Sequence, residues 1–338
     1  MRKPKLVAVV GPTGTGKSGL ALELAEKLGG EIISADSVQV YRGFDIGTAK
    51  VSPAERRKVP HHLIDILGPE EDYSAASFRN QADRIIHRLE EKGKAIFVVG
   101  GTGLYLKVLS RGLFRGPGED PCLRRSLRQK AEGEAEGYLY RELEKVDPEA
   151  ASRLHPHDTY RILRALEVYH HSRKPLSQFQ KEHGFRESPY EILKIGLSDD
   201  RQELYRRIEL RVDSMMEKGW LREVQDLLDR GISPRVKPMQ SLGYKRLISF
   251  LAGEMDWARA VNLIKQDTRR YAKRQITWFK ADPDIHWFSA GVENYPAIRE
   301  KVSDFFSSLL KNCHPRQRIE DRRRTSPVSY PPRRRIKS

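Results

Sequence analysis

Cysteine is nearly missing from this 338-residue chain, which holds only Cys122 and Cys313. Two thiols cannot build a disulfide framework or a four-ligand zinc site, and so sparse a usage fits a reducing compartment. No apolar run approaches the roughly 20 residues that a membrane span needs, so no membrane partner is expected. Met1-Arg2-Lys3 leads straight into an apolar stretch without a signal-peptide pattern, which makes the cytoplasm the expected location. Acid is outnumbered by base. Against 62 Lys and Arg stand 46 Asp and Glu, a formal net charge of +16, and such an excess points to a polyanionic partner, most simply nucleic acid. Part of it is local: nine cations between Arg316 and Ser338 face only Glu320 and Asp321, in a proline-containing segment that reads as disordered. That tail fits a solubilising extension or a nonspecific RNA tether.

What is present opens the chain. The apolar run Leu6 to Val10 is followed by Gly11-Pro12-Thr13-Gly14-Thr15-Gly16-Lys17-Ser18, the G-x-x-x-x-G-K-[ST] pattern. Its glycines let backbone N–H groups crowd around phosphate oxygens, while Lys17 supplies charge and Ser18 a magnesium ligand. Leu20, Leu24 and Leu28 then share one helical face, so the loop lies where a strand feeds a helix N-terminus. A di- or triphosphate is expected there.

A second strand, Glu31 to Asp36, ends in a carboxylate, and a third run, Ala95 to Val99, ends in Gly100-Gly101-Thr102-Gly103. Ligands of doubly wound sheets sit outside the carboxyl ends of parallel strands, so Asp36 and Thr102 should face the phosphate loop. Phe78, Ala82, Ile85, Ile86 and Leu89 mark a crossover helix over Ala75 to Lys92. From about Gly116 to Ser188 the sequence turns charged and helical, with helices expected at Leu123 to Leu127, Leu139 to Leu143 and Tyr160 to Tyr169. The strand Ile192 to Leu197 returns to the sheet. An amphipathic helix, Arg201 to Lys218, follows with Leu204, Ile208, Val212 and Met215 as its buried stripe. Helices over Trp220 to Asp229 and Trp257 to Lys280 flank a loop from Gly231 to Lys245, and no internal repeat is evident. These patterns predict an α/β fold: a P-loop NTPase-like parallel sheet core flanked by helices, with a helical insertion domain. The core should comprise residues 1–115 and 190–312, the insertion 116–189 and the basic tail 313–338.

Eight segments, in this order, resemble the bacterial tRNA dimethylallyltransferases. Besides the phosphate loop they are Asp36-Ser-Val-Gln-Val-Tyr41, Asp45-Ile-Gly-Thr-Ala-Lys50, Pro60-His-His-Leu-Ile-Asp65, Tyr73-Ser-Ala-Ala-Ser-Phe78, Val99-Gly-Gly-Thr-Gly-Leu-Tyr105, Ser241-Leu-Gly-Tyr244 and Lys273-Arg-Gln-Ile-Thr-Trp278. The likeness runs from about Lys5 to Phe288 and omits the tail. It implies transfer of a dimethylallyl group from dimethylallyl diphosphate, with Mg2+, to the exocyclic N6 amine of the adenosine just 3′ of the anticodon in tRNA. It also explains why the third run ends in Gly-Gly-Thr rather than in the aspartate that ordinary NTPases use to hold magnesium.

On that resemblance Asp36 is the candidate base that takes the amine proton, though a carboxylate capping the following turn, or a magnesium ligand, also fits the position. Lys17, the loop N–H groups and a magnesium ion held partly by Ser18 would stabilise the leaving diphosphate. Arg211 matches a family arginine near the diphosphate, and a surface ion pair with Glu209 or Asp213 is its alternative. Thr102 would offer a hydroxyl between diphosphate and amine, or else cap the next helix. The resemblance further implies contacts to the tRNA anticodon stem-loop from Asp36, Ser37, Val38 and Gln39, from Thr102 and Arg124, and from Tyr160, Arg161, Ile162, Leu163 and Arg164. It adds Gln240, Ser241, Leu242, Gly243, Tyr244 and Lys245, and Lys273, Arg274, Gln275, Ile276, Thr277, Trp278, Phe279 and Lys280. Ile162 and Leu163 also read as core. His61, His62, His155 and His157 read as structural, and the chain is expected to act as a monomer. The rival readings are an adenylate (cytokinin-type) isopentenyltransferase, a small-molecule kinase or other NTPase, and a noncatalytic RNA-binding protein.

Overall fold

The first strand, β1 (Lys5–Val10), is buried along its whole length, as an uninterrupted apolar run in the middle of a parallel sheet should be. A computed structural model describes residues 3–310 of the chain. The basic tail expected at 313–338 lies outside the described residues. After β1 come α1 (Lys17–Lys27), β2 (Glu31–Ser34), α2 (Pro53–Lys58), β3 (His61–His62), α3 (Ala75–Glu91), β4 (Ile96–Val99) and α4 (Gly103–Arg111). Five helices follow without a strand: α5 (Pro121–Glu132), α6 (Tyr138–Val146), α7 (Pro148–Ala151), α8 (Thr159–Ser172) and α9 (Leu176–His183). Then β5 (Glu191–Ser198) rejoins the sheet, ahead of α10 (Arg201–Glu217), α11 (Trp220–Asp229), α12 (Tyr244–Leu251), α13 (Trp257–Lys280), β6 (Ile285–Ser289) and α14 (Tyr295–Leu310).

The sheet is parallel throughout, with strand order β3-β2-β4-β1-β5-β6. Because side chains alternate along a strand, β1 divides the core in two. Val7 and Val9 meet Leu20 and Leu24 of α1 and Ile298 and Val302 of α14, whereas Leu6 meets Ile86 of α3 and Val108 of α4. The chain therefore leaves the neighbouring strands β1 and β4 on opposite faces. A crevice opens between their carboxyl ends, where open α/β sheets bind ligands.

In α10 the buried side chains are Leu204, Ile208, Val212 and Met215, each worth about 1.5–3 kcal/mol of apolar burial. The helices between α4 and β5 close around an apolar cluster of their own, with Leu127, Leu143, Ile162, Leu163 and Leu166 at its centre. Two expectations change. The third apolar run is the fourth strand, because His61 and His62 pair with Ile32 and Ile33 at the sheet edge. The loop expected up to Lys245 already contains a 3-10 turn at Pro238–Gln240 and the start of α12 at Tyr244, where Gly243 at φ 82° ends the loop.

Candidate active site

The glycine loop is shaped by what its neighbours leave no room for. A Cβ on Gly11, at φ 136°, would lie 2.3 Å from the Leu197 carbonyl oxygen of β5. Thr15 is buried, and its hydroxyl donates to the Pro12 carbonyl at 2.9 Å, which folds the loop onto itself. Gly16, the residue before α1, has φ 79° and no side chain to cap the helix. The first N–H groups of α1 thus point at the loop with no side-chain partner, the arrangement that receives anionic oxygens.

A cavity of about 680 Å³ sits over this loop. Thr13, Gly14, Gly16, Lys17 and Ser18 line one side, Asp36 to Gln39 and Gly100 and Gly101 another, and Arg211, Tyr271, Arg274 and Gln275 a third. Ala49, Val212, Met215, Trp220 and Leu242 form an apolar part of its remaining wall, beside the polar Thr48, Gln240, Ser241 and Thr268. A second cavity of about 660 Å³ lies between α4, the end of α13 and the sheet. It shares Arg274 with the first but has none of the phosphate-loop residues and no carboxylate besides Asp282.

Burial, followed by the nearby Arg211 guanidinium, pushes the Lys17 ammonium down to about 7, while Asp36 acts in the opposite sense. Its Nζ donates to the Pro12 carbonyl at 2.6 Å. Arg211 is likewise pushed down by burial and drawn up by Asp36. The surface ion pair considered for Arg211 is not formed: Glu209 pairs with Arg269, and Asp213 pairs with Lys265 at 2.7 Å. Among the described residues Arg211 makes no ion pair and faces the cavity. Burial and the Asp36 charge push the Tyr271 phenol up, so it stays protonated.

Asp36 does cap the turn after β2. Its Oδ1 accepts from the N–H groups of Val38 at 2.8 Å and Gln39 at 3.1 Å, and its Oδ2 has no hydrogen-bond partner among the described residues. One oxygen is thus held while the other is available. Thr102 precedes α4 without capping it. Its N–H donates to the Ala35 carbonyl at 3.3 Å, and Gly100 and Gly101 rather than Thr102 form the cavity wall.

The residues expected at RNA divide by exposure. Tyr160, Arg161, Gln240, Lys245, Lys273, Arg274, Thr277, Trp278 and Lys280 are exposed, and Ser37, Val38, Gln39, Ser241, Leu242 and Ile276 are half-buried. Ile162, Leu163, Gly243, Tyr244, Gln275 and Phe279 are buried. For Ile162, Leu163 and Phe279 the reason is the apolar stripe of an amphipathic helix. Arg124 is also engaged internally. It pairs with Glu167 at 2.9 Å and Glu119 at 3.1 Å, with its guanidinium over the Tyr160 ring at 5.7 Å. Arg164 pairs with Glu167 too and donates to the Pro117 carbonyl at 2.7 Å.

Glu223 and Trp220 were not legible as site residues. Glu223 accepts from the N–H groups of Asp45 at 2.8 Å, Ile46 at 2.7 Å and Gly47 at 3.2 Å and from the Tyr244 hydroxyl at 2.5 Å. Trp220 packs so closely on Gly47 and Gly243 that a Cβ on either would lie about 2 Å from its ring. These two side chains of α11 therefore tie together two loops of the cavity wall. The only available signal was the glycine in each loop.

The model of the IPP transferase family matches residues 39–282. A tRNA dimethylallyltransferase 2 from Geotalea uraniireducens (strain Rf4) is 51% identical over 305 residues, which are 90% of this chain and 98% of that relative. A tRNA dimethylallyltransferase from Geobacter metallireducens is 53% identical over 285 residues, 84% of this chain and 92% of its own. The crystal structure of a full-length tRNA isopentenylpyrophosphate transferase from Bacillus halodurans superposes with a TM-score of 0.68 at 38% identity, covering 91% of this chain and 99% of that one. A eukaryotic dimethylallyltransferase, solved in snapshots of its action on tRNA, superposes with a TM-score of 0.76 at 29% identity, covering 90% of this chain and 80% of that one.

Proposed function

This chain belongs to the IPP transferase family and is a tRNA prenyltransferase, and we propose how its residues divide the work. Dimethylallyl diphosphate is its co-substrate. The diphosphate is read into the glycine loop, under the N–H groups of α1, Lys17 and Arg211. The prenyl group lies against Ala49, Val212, Met215, Trp220 and Leu242, where an allylic centre gathering positive charge is kept from water. The acceptor is the N6 amine of the adenosine 3′ of the anticodon, turned out of its stack, since an amine within the stack could not reach the prenyl carbon.

The amine nitrogen attacks C1, the carbon–oxygen bond to diphosphate breaks, and the amine proton passes to Asp36. The observation that carries this reading is the geometry of Asp36, which lines the cavity over the phosphate loop and whose Oδ1 is fixed by two backbone N–H groups while Oδ2 has no hydrogen-bond partner among the described residues. Departing pyrophosphate gathers negative charge where Lys17, Arg211 and the α1 N-terminus already stand, so little reorganisation is needed. Ser18 fits a magnesium ligand: its hydroxyl lines the same cavity and has no hydrogen-bond partner among the described residues. Mg2+ held there would supply further charge neutralisation.

The exposed cations and aromatics of α13, with Tyr160 and Arg161 of the insertion at residues 116–189, are read as the RNA surface. An adenylate acceptor would need neither. No helix among the described residues is long and apolar enough to cross a membrane, and a monomer acting in the cytoplasm stays part of the proposal. The test is transfer of labelled dimethylallyl diphosphate, with magnesium, to unmodified bulk tRNA against AMP. Label in tRNA is expected, and label in AMP alone would move the protein to the adenylate class.

A further inference from the structure

Gln275 turns away from its neighbours on α13. Lys273, Arg274 and Trp278 are exposed, whereas Gln275 is only 6% exposed and its carboxamide spans two loops of the site. Oε1 accepts the Thr13 N–H at 2.9 Å, and Nε2 donates to the Gly101 carbonyl at 3.0 Å. The partners fix the orientation of the amide: an N–H can only donate and a carbonyl only accept, so the flipped amide would lose both bonds. Gly101 is what makes the approach possible, because a Cβ there would lie 2.1 Å from Nε2.

Thr13 belongs to the phosphate loop and Gly101 to the loop after β4. One helix therefore presents cations and aromatics outward and, from its inner side, holds a loop 262 residues away in sequence. A shift of its last turns carries Oε1 with it, and a hydrogen bond weakens steeply once length and angle leave their narrow range. We infer that Gln275 is a positioning residue that couples RNA docking on α13 to the shape of the diphosphate loop, so that each substrate tightens the binding of the other. The inference rests on the reading that the loop takes diphosphate and α13 takes RNA. Coupling free energies are reciprocal, so the effect must be visible from either substrate. Two hydrogen bonds of ordinary strength support a factor of roughly 5 to 150. Charge alone predicts the reverse, since two polyanions on adjoining sites repel.

The test measures the dissociation constant of a fluorescent anticodon stem-loop RNA on the full-length protein, with and without saturating inorganic pyrophosphate at about 0.15 M salt, where longer-range repulsion is screened. The wild type should bind RNA several-fold tighter with pyrophosphate. Gln275→Met should lose that ratio while its RNA affinity without pyrophosphate stays within about threefold, a split that general weakening of the fold would not produce. Gln275→Glu keeps the acceptor for Thr13 and loses the donor to Gly101, so it should keep only part of the ratio, and it serves if the Met variant fails to fold. A wild-type ratio of one, or a ratio undiminished in the variants, would overturn the inference with the reading of the site intact. No binding of RNA or of pyrophosphate to the wild type would instead overturn the reading beneath it.

Discussion

Lys17 donates to the carbonyl oxygen of Pro12 at 2.6 Å, so the phosphate loop holds its own lysine. Burial, and then Arg211, hold that ammonium near 7. An incoming diphosphate restores the charged form. At pH 8 the free protein carries a mostly neutral Lys17, and binding of inorganic pyrophosphate should take up close to one proton. Affinity should therefore weaken as pH rises above about 7, by up to tenfold per pH unit. Calorimetry in buffers of different ionisation enthalpy reads the uptake. Heats that do not depend on the buffer would mean that Lys17 is already charged in the free protein.

Glu223 collects four donors, three backbone N–H groups and the Tyr244 hydroxyl. A glutamine there has one acceptor oxygen and must turn an NH2 toward N–H groups, so Glu223→Gln is not conservative. Leaving such donors unmet costs about 1–3 kcal/mol apiece. The variant should lose several kcal/mol in urea unfolding and raise KM for dimethylallyl diphosphate, because the loops holding Ala49 and Leu242 come loose together. Unchanged values of both would remove Glu223 from the support of the site.

The Glu167 side chain is fully buried and holds Arg124, Arg164 and the Asp120 N–H. Removing one partner of a buried ion pair costs about 3–5 kcal/mol, so Glu167→Ala should destabilise the 116–189 insertion by that order. Hydrogen exchange should rise across α5 and α8 and leave β1 and β4 protected if the insertion is a separate unit. Although burial opposes its charge, the Asp120 N–H and the two guanidinium groups hold the Glu167 carboxyl below the usual range. A lowered carboxyl contributes stability that is complete above its ordinary value and fades as pH falls through its folded value. The insertion should accordingly loosen in acid below about pH 4. Exchange that rises equally in the sheet would contradict a separate unit.

Much of the framework was written in local patterns. The period of Leu204, Ile208, Val212 and Met215 gave the buried face of α10, and the glycine loop lay between its strand and helix as its spacing required. The missed pieces are those whose reason is remote in the chain. His61 and His62 form a strand because β2 has an open edge, not because of any pattern of their own. Glu223 on a charged helix resembles a solvated side chain until the Asp45 to Gly47 backbone arrives from 176 residues and more away. Gln275 sits in a basic stretch, and only the fold shows that it points inward. The loop reading of 231–245 failed for a local reason, because Pro234, Pro238 and Gly243 punctuate a segment that then winds into α12.

The proposed chemistry turns on Asp36, and asparagine separates its two roles, since an Asn Oδ1 can still accept from Val38 and Gln39 while no carboxylate is left to take a proton. The most direct measurement is single-turnover transfer to saturating tRNA by Asp36→Asn, with tRNA affinity determined on the same preparation. A rate lower by about 10² to 10⁴ with tRNA affinity kept within a few-fold is the expected result. A rate within a few-fold of wild type would show that Asp36 only caps its turn and that the amine loses its proton elsewhere.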